Sequence, residues 1–227
     1  MGFFVDSYYW LLVLPAMAVA LYAQFKVKSV FNKYSGVPAR MTGEQASRMI
    51  QAQNGLQVNM GAMEGSMTDN YDPRDNTIRL SQTVGPMATV AAVGVAAHET
   101  GHALQYANHY FPIRIRTAIL PVTKFGSAAA PWLFIAGLLL GIGPLAYLGL
   151  ICFGAAVFFQ LVTLPVEFNA SRRGMAALRA SGTMTAEEMA GIRKVLTAAA
   201  MTYVAALFVA LMSLLRMILL VSGGRRN

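Results

Sequence analysis

Residues 125 to 166 form one long uncharged stretch, which constrains the fold of this chain more than any other feature. These 42 residues contain no Asp, Glu, Lys, Arg or His. A helix needs roughly 20 apolar residues to cross the hydrocarbon core of a bilayer, so the stretch is long enough for two spans. The turn-forming segment Gly141-Ile142-Gly143-Pro144 lies near its centre. The sequence therefore predicts a tight helical hairpin within a membrane.

Two further apolar runs, Tyr8 to Phe25 and Leu196 to Leu215, are each long enough for one span. The whole chain is 56% hydrophobic and only 12% charged, whereas soluble domains carry about 25% charged residues. A cleavable signal peptide is the alternative for the first run. Such a peptide begins with positive charge, but Met1 to Tyr9 contains no Lys or Arg, which favours a membrane anchor.

We therefore predict a mainly α-helical integral membrane protein with about four transmembrane helices and one integrated domain. A cytoplasmic region that contains a small β-sheet lies between the first two spans. The predicted segments are a transmembrane helix at 1–25, the cytoplasmic region at 26–124, a transmembrane hairpin at 125–166, a cytoplasmic helical segment at 167–195 and a last transmembrane helix at 196–221.

The positive charges predict the orientation of these spans. Fifteen of the eighteen Lys and Arg residues lie between Lys26 and Lys124 or between Arg172 and Lys194. The positive-inside rule then places the N-terminus outside and the polar regions 26–124 and 167–195 in the cytoplasm, as expected for a multi-pass protein of an inner (plasma) membrane. The net charge of +8 is interpreted as contact with the lipid bilayer. No base-reading motif accompanies it, so we expect no nucleic-acid partner.

The polar region shows clear local signals. Thr42 to Gln45 and Thr185 to Glu188 match capping boxes that open helices. Leu56 to Met60 and Thr77 to Ser81 are typical of brief strands, and Pro86 to Asn108 favours a helix. We therefore expect a small sheet next to this helix.

The predicted helix contains His98-Glu99-Thr100-Gly101-His102, an H-E-x-x-H match that uses two of the three histidines in the chain. Residues i and i+4 of a helix share a face, so both imidazoles can bind one metal ion, with zinc as the default. Glu99 is then placed to take a proton from a water molecule activated by the metal. The pattern is typical of a peptide-bond hydrolase. Two buried histidines satisfied by hydrogen bonds are the alternative.

A catalytic zinc needs a third protein ligand. His109 is the remaining histidine, but it lies seven residues after His102 at a different helical azimuth. Glu167 is the better candidate because it stands alone at the end of a span, where an uncoordinated carboxylate is costly. A solvated glutamate at a helix end is the alternative. Glu99 and His102 also match half of a di-iron motif, but the chain has no second E-x-x-H.

Four segments of the chain resemble a known family: Ala96 to Gln105, Leu164 to Arg173, Leu21 to Lys28 and Asn70 to Pro73. They are similar to the YugP-like membrane zinc metallopeptidases of bacteria. A more distant likeness is to the HtpX-like and CAAX prenyl protease gluzincins, in which H-E-x-x-H lies on one helix and a zinc-binding Glu on a later one. This likeness implies that residues 26–124 form a gluzincin-like zinc-peptidase region with Zn²⁺ as the cofactor. It also implies Glu99 as the catalytic base and, as metal ligands, His98, His102 and Glu167.

The chain departs from the wider pattern after Glu167. Those relatives show E-x-x-A-D, whereas this chain has Ser171 at the final acidic position, so Asn169 or Ser171 is expected to orient a ligand. The resemblance also suggests that the strand Thr77 to Ser81 pairs with an extended peptide substrate.

These observations predict a zinc-dependent endopeptidase that cleaves peptide bonds near the inner membrane surface. Membrane-protein or peptide substrates are expected, and the HtpX-like resemblance implies a role in the quality control or processing of membrane proteins. The alternative is a non-enzymatic membrane scaffold with a structural or vestigial metal site. A structural zinc would require a fourth protein ligand, from His109 or from an aspartate between Asp69 and Asp75.

Overall fold

The computed structural model describes residues 6–223, and helices dominate this part of the chain. A short π-helical segment, Tyr9–Val13, leads directly into the first helix. The elements in chain order are α1 Leu14–Ser35, α2 Gly43–Gln53, β1 Asn59–Met63, β2 Asn70–Asp72, β3 Thr77–Ser81, α3 Val90–Ala107, α4 Phe111–Leu139, α5 Gly143–Ser181 and α6 Ala186–Gly223.

Four helical segments are long and apolar enough to cross a membrane, which confirms the predicted fold class. They are the helix from the π-helical segment through α1, then α4, α5 and α6. The predicted hairpin turn is also confirmed. Helix α4 ends at Leu139 and α5 begins at Gly143, while Gly141 has a φ of +69°, which favours glycine.

The chain divides into two compact units. The first comprises the described parts of Met1–Gln24, Ile115–Leu164 and Thr202–Asn227. Within it, a Cβ added to Gly137 would lie 2.2 Å from the backbone nitrogen of Ala146, so glycine lets the two arms of the hairpin approach closely. Arg216 donates to the Asp6 carboxylate at 2.6 and 2.9 Å. This ion pair links the N-terminal segment to α6.

The second unit, Phe25–Arg114 and Pro165–Met201, contains the sheet, α2, α3 and the adjoining parts of α1, α5 and α6. Both predicted capping boxes are present. The Thr42 and Gln45 side chains each accept from the other residue's backbone N–H, and Thr185 and Glu188 do the same. Alanine, valine, isoleucine and leucine side chains of α2, α3, α5 and α6 form the core of this unit.

The three-stranded sheet has the order β1-β3-β2. Strand β3 pairs in parallel with β1 along its whole length and antiparallel with β2 over Thr77 to Arg79. The expectation that the Thr77–Ser81 strand pairs with substrate is therefore wrong, because this strand is central. Strand β2 was not predicted, since its three residues run into the turn-forming Asp72-Pro73 segment.

Candidate metal centre

Helix α3 presents the H-E-x-x-H segment from within the core of the second unit. The Thr89 hydroxyl caps the helix by accepting from the Ala92 backbone N–H at 3.2 Å. Most residues that follow are small and buried. Among them, Thr100 donates to the Ala96 carbonyl and contacts the Ser47 hydroxyl of α2, both at 2.7 Å. Helix α3 is therefore anchored to α2 on the face that includes Thr100.

On another face, α3 lies against α5 at very short range. A Cβ added to Gly101 would lie 2.2 Å from the Ala170 carbonyl oxygen, and one added to Gly174 would lie 2.3 Å from the Ala97 carbonyl oxygen. Ordinary contact begins at 3.4 Å, so only glycine fits at either position without movement of a backbone. These two glycines, one on each helix, set the distance between the two helices.

This close approach brings together the three predicted metal ligands, His98, His102 and Glu167. Their ligand atoms all lie within 4.8 Å of one another. The Glu167 Oε2 atom is 3.2 Å from Nε2 of His98 and 3.6 Å from Nε2 of His102. Two imidazole nitrogens and one carboxylate oxygen form a donor set that suits zinc.

The other ring nitrogen of each histidine has its own partner. Nδ1 of His98 lies 2.9 Å from the Ser171 hydroxyl, and Nδ1 of His102 lies 3.0 Å from Oε1 of Gln105. Because an amide oxygen only accepts, the proton of neutral His102 is on Nδ1 and the Nε2 lone pair faces Glu167. That protonation state is the one that a metal ligand requires.

The orientation of the Gln105 amide is fixed by a buried network. Its Nε2 donates to the Val166 carbonyl at 2.8 Å and to Oδ1 of Asn169 at 3.0 Å. The same Asn169 oxygen accepts from Nε of Arg173 at 2.7 Å. A guanidinium only donates and a backbone carbonyl only accepts hydrogen bonds. The donor and the acceptor of every hydrogen bond in this network, up to His102, are therefore determined.

Glu99, the predicted base, is nearly buried, with 9% of its surface exposed. Burial raises the pKa of this carboxyl to about 7, and the negative charge of Glu167 adds to the increase, whereas His98 opposes it. Backbone hydrogen bonding from Tyr71 of β2 makes a smaller opposing contribution to this pKa.

Some sequence candidates are not part of the cluster. In the part of the chain that the structure describes, the metal-ligand group contains three residues, and neither His109 nor an aspartate between Asp69 and Asp75 joins it. His109 follows the end of α3 with a φ of +50°. Of the two predicted orienting residues, Ser171 contacts a histidine directly and Asn169 acts through Gln105.

Sequence reasoning missed Gln105. It lies three residues after His102 on a helix, a spacing that places both side chains on the same face and could have suggested it as a partner.

The fold and the donor set together define a class: proteins with several apolar helices long enough to cross a membrane and a site of two histidines and one glutamate. The chain belongs to the family whose model is described as "Putative neutral zinc metallopeptidase", which matches residues 9–222. It is also similar to "Putative membrane protease YugP" of Bacillus subtilis (strain 168). The identity is 46% over 217 residues, covering 94% of this chain and 96% of that protein. No solved structure matches the chain.

Family membership confirms the resemblance drawn from the sequence, and it supports a zinc-dependent membrane protease as the general class of activity.

Proposed function

We propose that the protein is a zinc-dependent endopeptidase that cleaves membrane-protein or peptide substrates close to the bilayer surface. One observation carries the proposal: His98, His102 and Glu167 form a three-donor cluster, and Glu99 lies beside them in the H-E-x-x-H segment. Catalytic zinc sites have three protein ligands and an open position, whereas structural sites usually have four. The three-donor count within residues 6–223 therefore favours catalysis over a structural or vestigial site in a scaffold.

The residues of the cluster fit Zn²⁺ because both Nδ1 atoms are engaged elsewhere, which leaves the Nε2 atoms for the metal. Zinc held by these three side chains would lower the pKa of a bound water and polarise the scissile carbonyl. The imidazoles stay oriented through Ser171 and Gln105.

Glu99 performs the proton transfers in this proposal. Its carboxylate takes a proton from the attacking water and later gives it to the leaving amine. A side chain that is nearly buried has few orientations open to it, as a general base requires.

Strand β2 is the edge that a substrate would use. It is a terminal strand in the order β1-β3-β2, and its Tyr71 ring centroid lies 5.5 Å from that of Tyr106 on α3, the helix that carries Glu99. An extended peptide that pairs alongside a strand edge gains backbone hydrogen bonds whatever its sequence. This mode of binding suits a protease with many substrates.

We further propose that the cleavage site lies near the inner surface of a bacterial plasma membrane, with the N-terminus outside. Glu167 directly follows the uncharged stretch of residues 125–166, and most of the basic residues lie in segments assigned to the cytoplasm. Quality control or processing of membrane proteins is the role that this location favours.

The test is a comparison of Glu99→Gln with wild type on a panel of membrane proteins in detergent, with a chelator control. Glu64→Gln is a matched control because Glu64 is exposed. We expect the Glu99→Gln enzyme to keep stoichiometric zinc and to lose cleavage by at least about 100-fold, as for removal of a general base. Zinc binding with unchanged turnover in Glu99→Gln would refute the peptidase and favour the scaffold.

A further inference from the structure

Three arginines line a cavity between α5 and α6 that the proposed peptidase chemistry does not use. The cavity has a volume of about 320 Å³. We call it the arginine cavity and define it by Phe168, Ser171, Arg172, Arg179, Arg193 and Leu196, with four smaller or flexible neighbours. All of these residues belong to the second unit.

The arginine cavity carries an uncompensated positive charge. Guanidinium groups remain charged in proteins, and no acidic residue lines the cavity. Within residues 6–223, none of the three guanidinium groups forms an ion pair, a hydrogen bond or a ring contact. Guanidinium is the side-chain group best suited to bind phosphate, since its fork of donors matches two phosphate oxygens.

The cavity also has an apolar end. Along α5 the lining runs from Phe168 to Arg179, and along the antiparallel α6 it runs from Ala200 through Leu196 to Arg193. Apolar side chains thus lie at the end nearer the apolar runs, and arginines lie at the other end. This arrangement matches an amphiphile that has an anionic head and a hydrocarbon tail.

The expected depth of Arg172 and Arg193 agrees with this arrangement, whereas Arg179, 13 residues after Val166, lies about 20 Å beyond it along α5. Val166 ends the uncharged stretch, and Leu196 begins the last apolar run. At about 1.5 Å per residue, Arg172 lies about 9 Å beyond Val166 along α5, and Arg193 lies about 4.5 Å before Leu196 along α6. The polar headgroup layer is about 5 to 7 Å thick on each side of the hydrocarbon core, so both side chains reach the phosphates of lipids.

Ser171 connects the arginine cavity to the candidate metal centre. Its hydroxyl oxygen lies 2.9 Å from Nδ1 of His98. When His98 donates from Nδ1, as a metal ligand bound through Nε2 does, the Ser171 O–H is available to donate into the cavity. A phosphate oxygen there would therefore have a hydroxyl donor in addition to the three guanidinium groups.

We propose that the arginine cavity binds the phosphate group of an anionic phospholipid. Inorganic phosphate carries the same anionic group as the lipid. Only the lipid also has a hydrocarbon tail that can fill the apolar end of the cavity, which favours the lipid as the ligand. Binding requires neither substrate nor turnover, so the proposal stands or falls separately from the peptidase function.

The experiment titrates the full chain, purified and delipidated in neutral detergent, with three probes. The probes are short-chain phosphatidylglycerol, short-chain phosphatidylcholine and inorganic phosphate, and bound probe is measured by calorimetry and native mass spectrometry. We expect phosphatidylglycerol to bind at least about tenfold more tightly than either other probe, because each basic group near an anionic lipid contributes about a fivefold factor. Equal binding of phosphatidylglycerol and phosphatidylcholine would overturn the phosphate site, and equal binding of inorganic phosphate would overturn the lipid.

Two triple variants complete the test. Removing the charges with Arg172→Gln, Arg179→Gln and Arg193→Gln is expected to weaken phosphatidylglycerol binding on the order of 100-fold. The matched control removes the same charge from exposed positions outside the cavity, with Lys26→Gln, Lys28→Gln and Lys194→Gln. It is expected to bind phosphatidylglycerol as tightly as wild type does. An equal loss in both variants would show a nonspecific charge effect and overturn the site.

A third variant guards against misfolding. This variant combines Arg172→Lys, Arg179→Lys and Arg193→Lys, so it keeps the charge but loses the forked geometry of guanidinium. We expect its affinity for phosphatidylglycerol to lie between that of wild type and that of the glutamine triple. If the glutamine triple instead binds phosphatidylglycerol normally but peptide substrates poorly, the cavity belongs to the substrate cleft and the lipid proposal is wrong.

Discussion

Replacing Gly101 with alanine should abolish the metal site while leaving the fold largely intact. The added Cβ would lie 2.2 Å from the Ala170 carbonyl oxygen, and ordinary contact begins at 3.4 Å. Helices α3 and α5 would therefore have to separate by about 1.2 Å at this point, since a packed interior leaves little room for smaller adjustments. Glu167 lies one turn before Ala170 on α5 and would move with it.

The consequence for metal binding follows from the coordination distances. Zinc requires its nitrogen and carboxylate donors at about 2.0 to 2.2 Å, with a tolerance of about 0.2 Å. A displacement of about 1.2 Å is several times this tolerance, so Glu167 would leave the coordination sphere while both histidines stay on α3. We expect zinc affinity to fall by at least about 100-fold, the upper end of what changes outside the direct ligands cause.

Stability should change much less than metal binding. Overpacking costs about 1 to 3 kcal/mol, and replacing a helical glycine with alanine returns about 1 kcal/mol.

The assay measures zinc content of the purified protein by mass spectrometry, zinc affinity by competition with a chromophoric chelator, and thermal unfolding of the chelated protein. Gly174→Ala, with its Cβ 2.3 Å from the Ala97 carbonyl oxygen, should behave similarly.

Gly154→Ala is the control, because Gly154 is also on α5 and a Cβ there would meet no atom within 4 Å. This variant should keep wild-type zinc affinity. If Gly101→Ala also binds zinc with wild-type affinity, the close approach of the two helices does not position the ligands and the reasoning fails.

Three other predictions concern separate contacts. Gln105→Leu should lower zinc affinity about 10- to 100-fold in the chelator assay, since it removes a histidine partner, whereas Gln53→Leu at an exposed site should have no effect. Thr100→Val should lower the free energy of unfolding by about 1 to 3 kcal/mol, because it removes the oxygen acceptor of the buried Ser47 hydroxyl and leaves only the weaker Met60 sulfur at 3.5 Å. Zinc content should be unchanged, and lost zinc would contradict this. Asp6→Asn and Arg216→Gln should each destabilise the protein and cost less together than their sum in a double-mutant cycle, and additive effects would exclude a stabilising ion pair.

Much of the fold could be predicted because its signals are local. The hairpin turn at Gly141 depends on glycine's tolerance of positive φ, and the capping boxes at Thr42 and Thr185 depend on two residues three apart. Strand β2 was missed because three residues carry too little periodicity. Arg216 pairs with Asp6, a contact between residues 210 positions apart that no local pattern encodes.

The candidate ligands could also be selected from the sequence, but their geometry could not. H-E-x-x-H specifies two donors by helical spacing, and Glu167 was selected because an isolated charge at the end of a span is costly. The distance between those two parts depends on how closely two helices pack, which Gly101 and Gly174 determine. Nothing in the spacing of two distant glycines shows that each faces the backbone of the other helix.

The serine at position 171 connects the two binding sites inferred from the structure. It orients His98 with a neutral hydroxyl, at the position where the E-x-x-A-D relatives carry an acid. An acidic residue at this position would also orient the imidazole, but it would place a negative charge in the wall of the arginine cavity. That charge would neutralise part of the field of the arginines and compete with an external anion. A hydroxyl therefore serves the metal ligand while it leaves all three guanidinium charges available for a phosphate group.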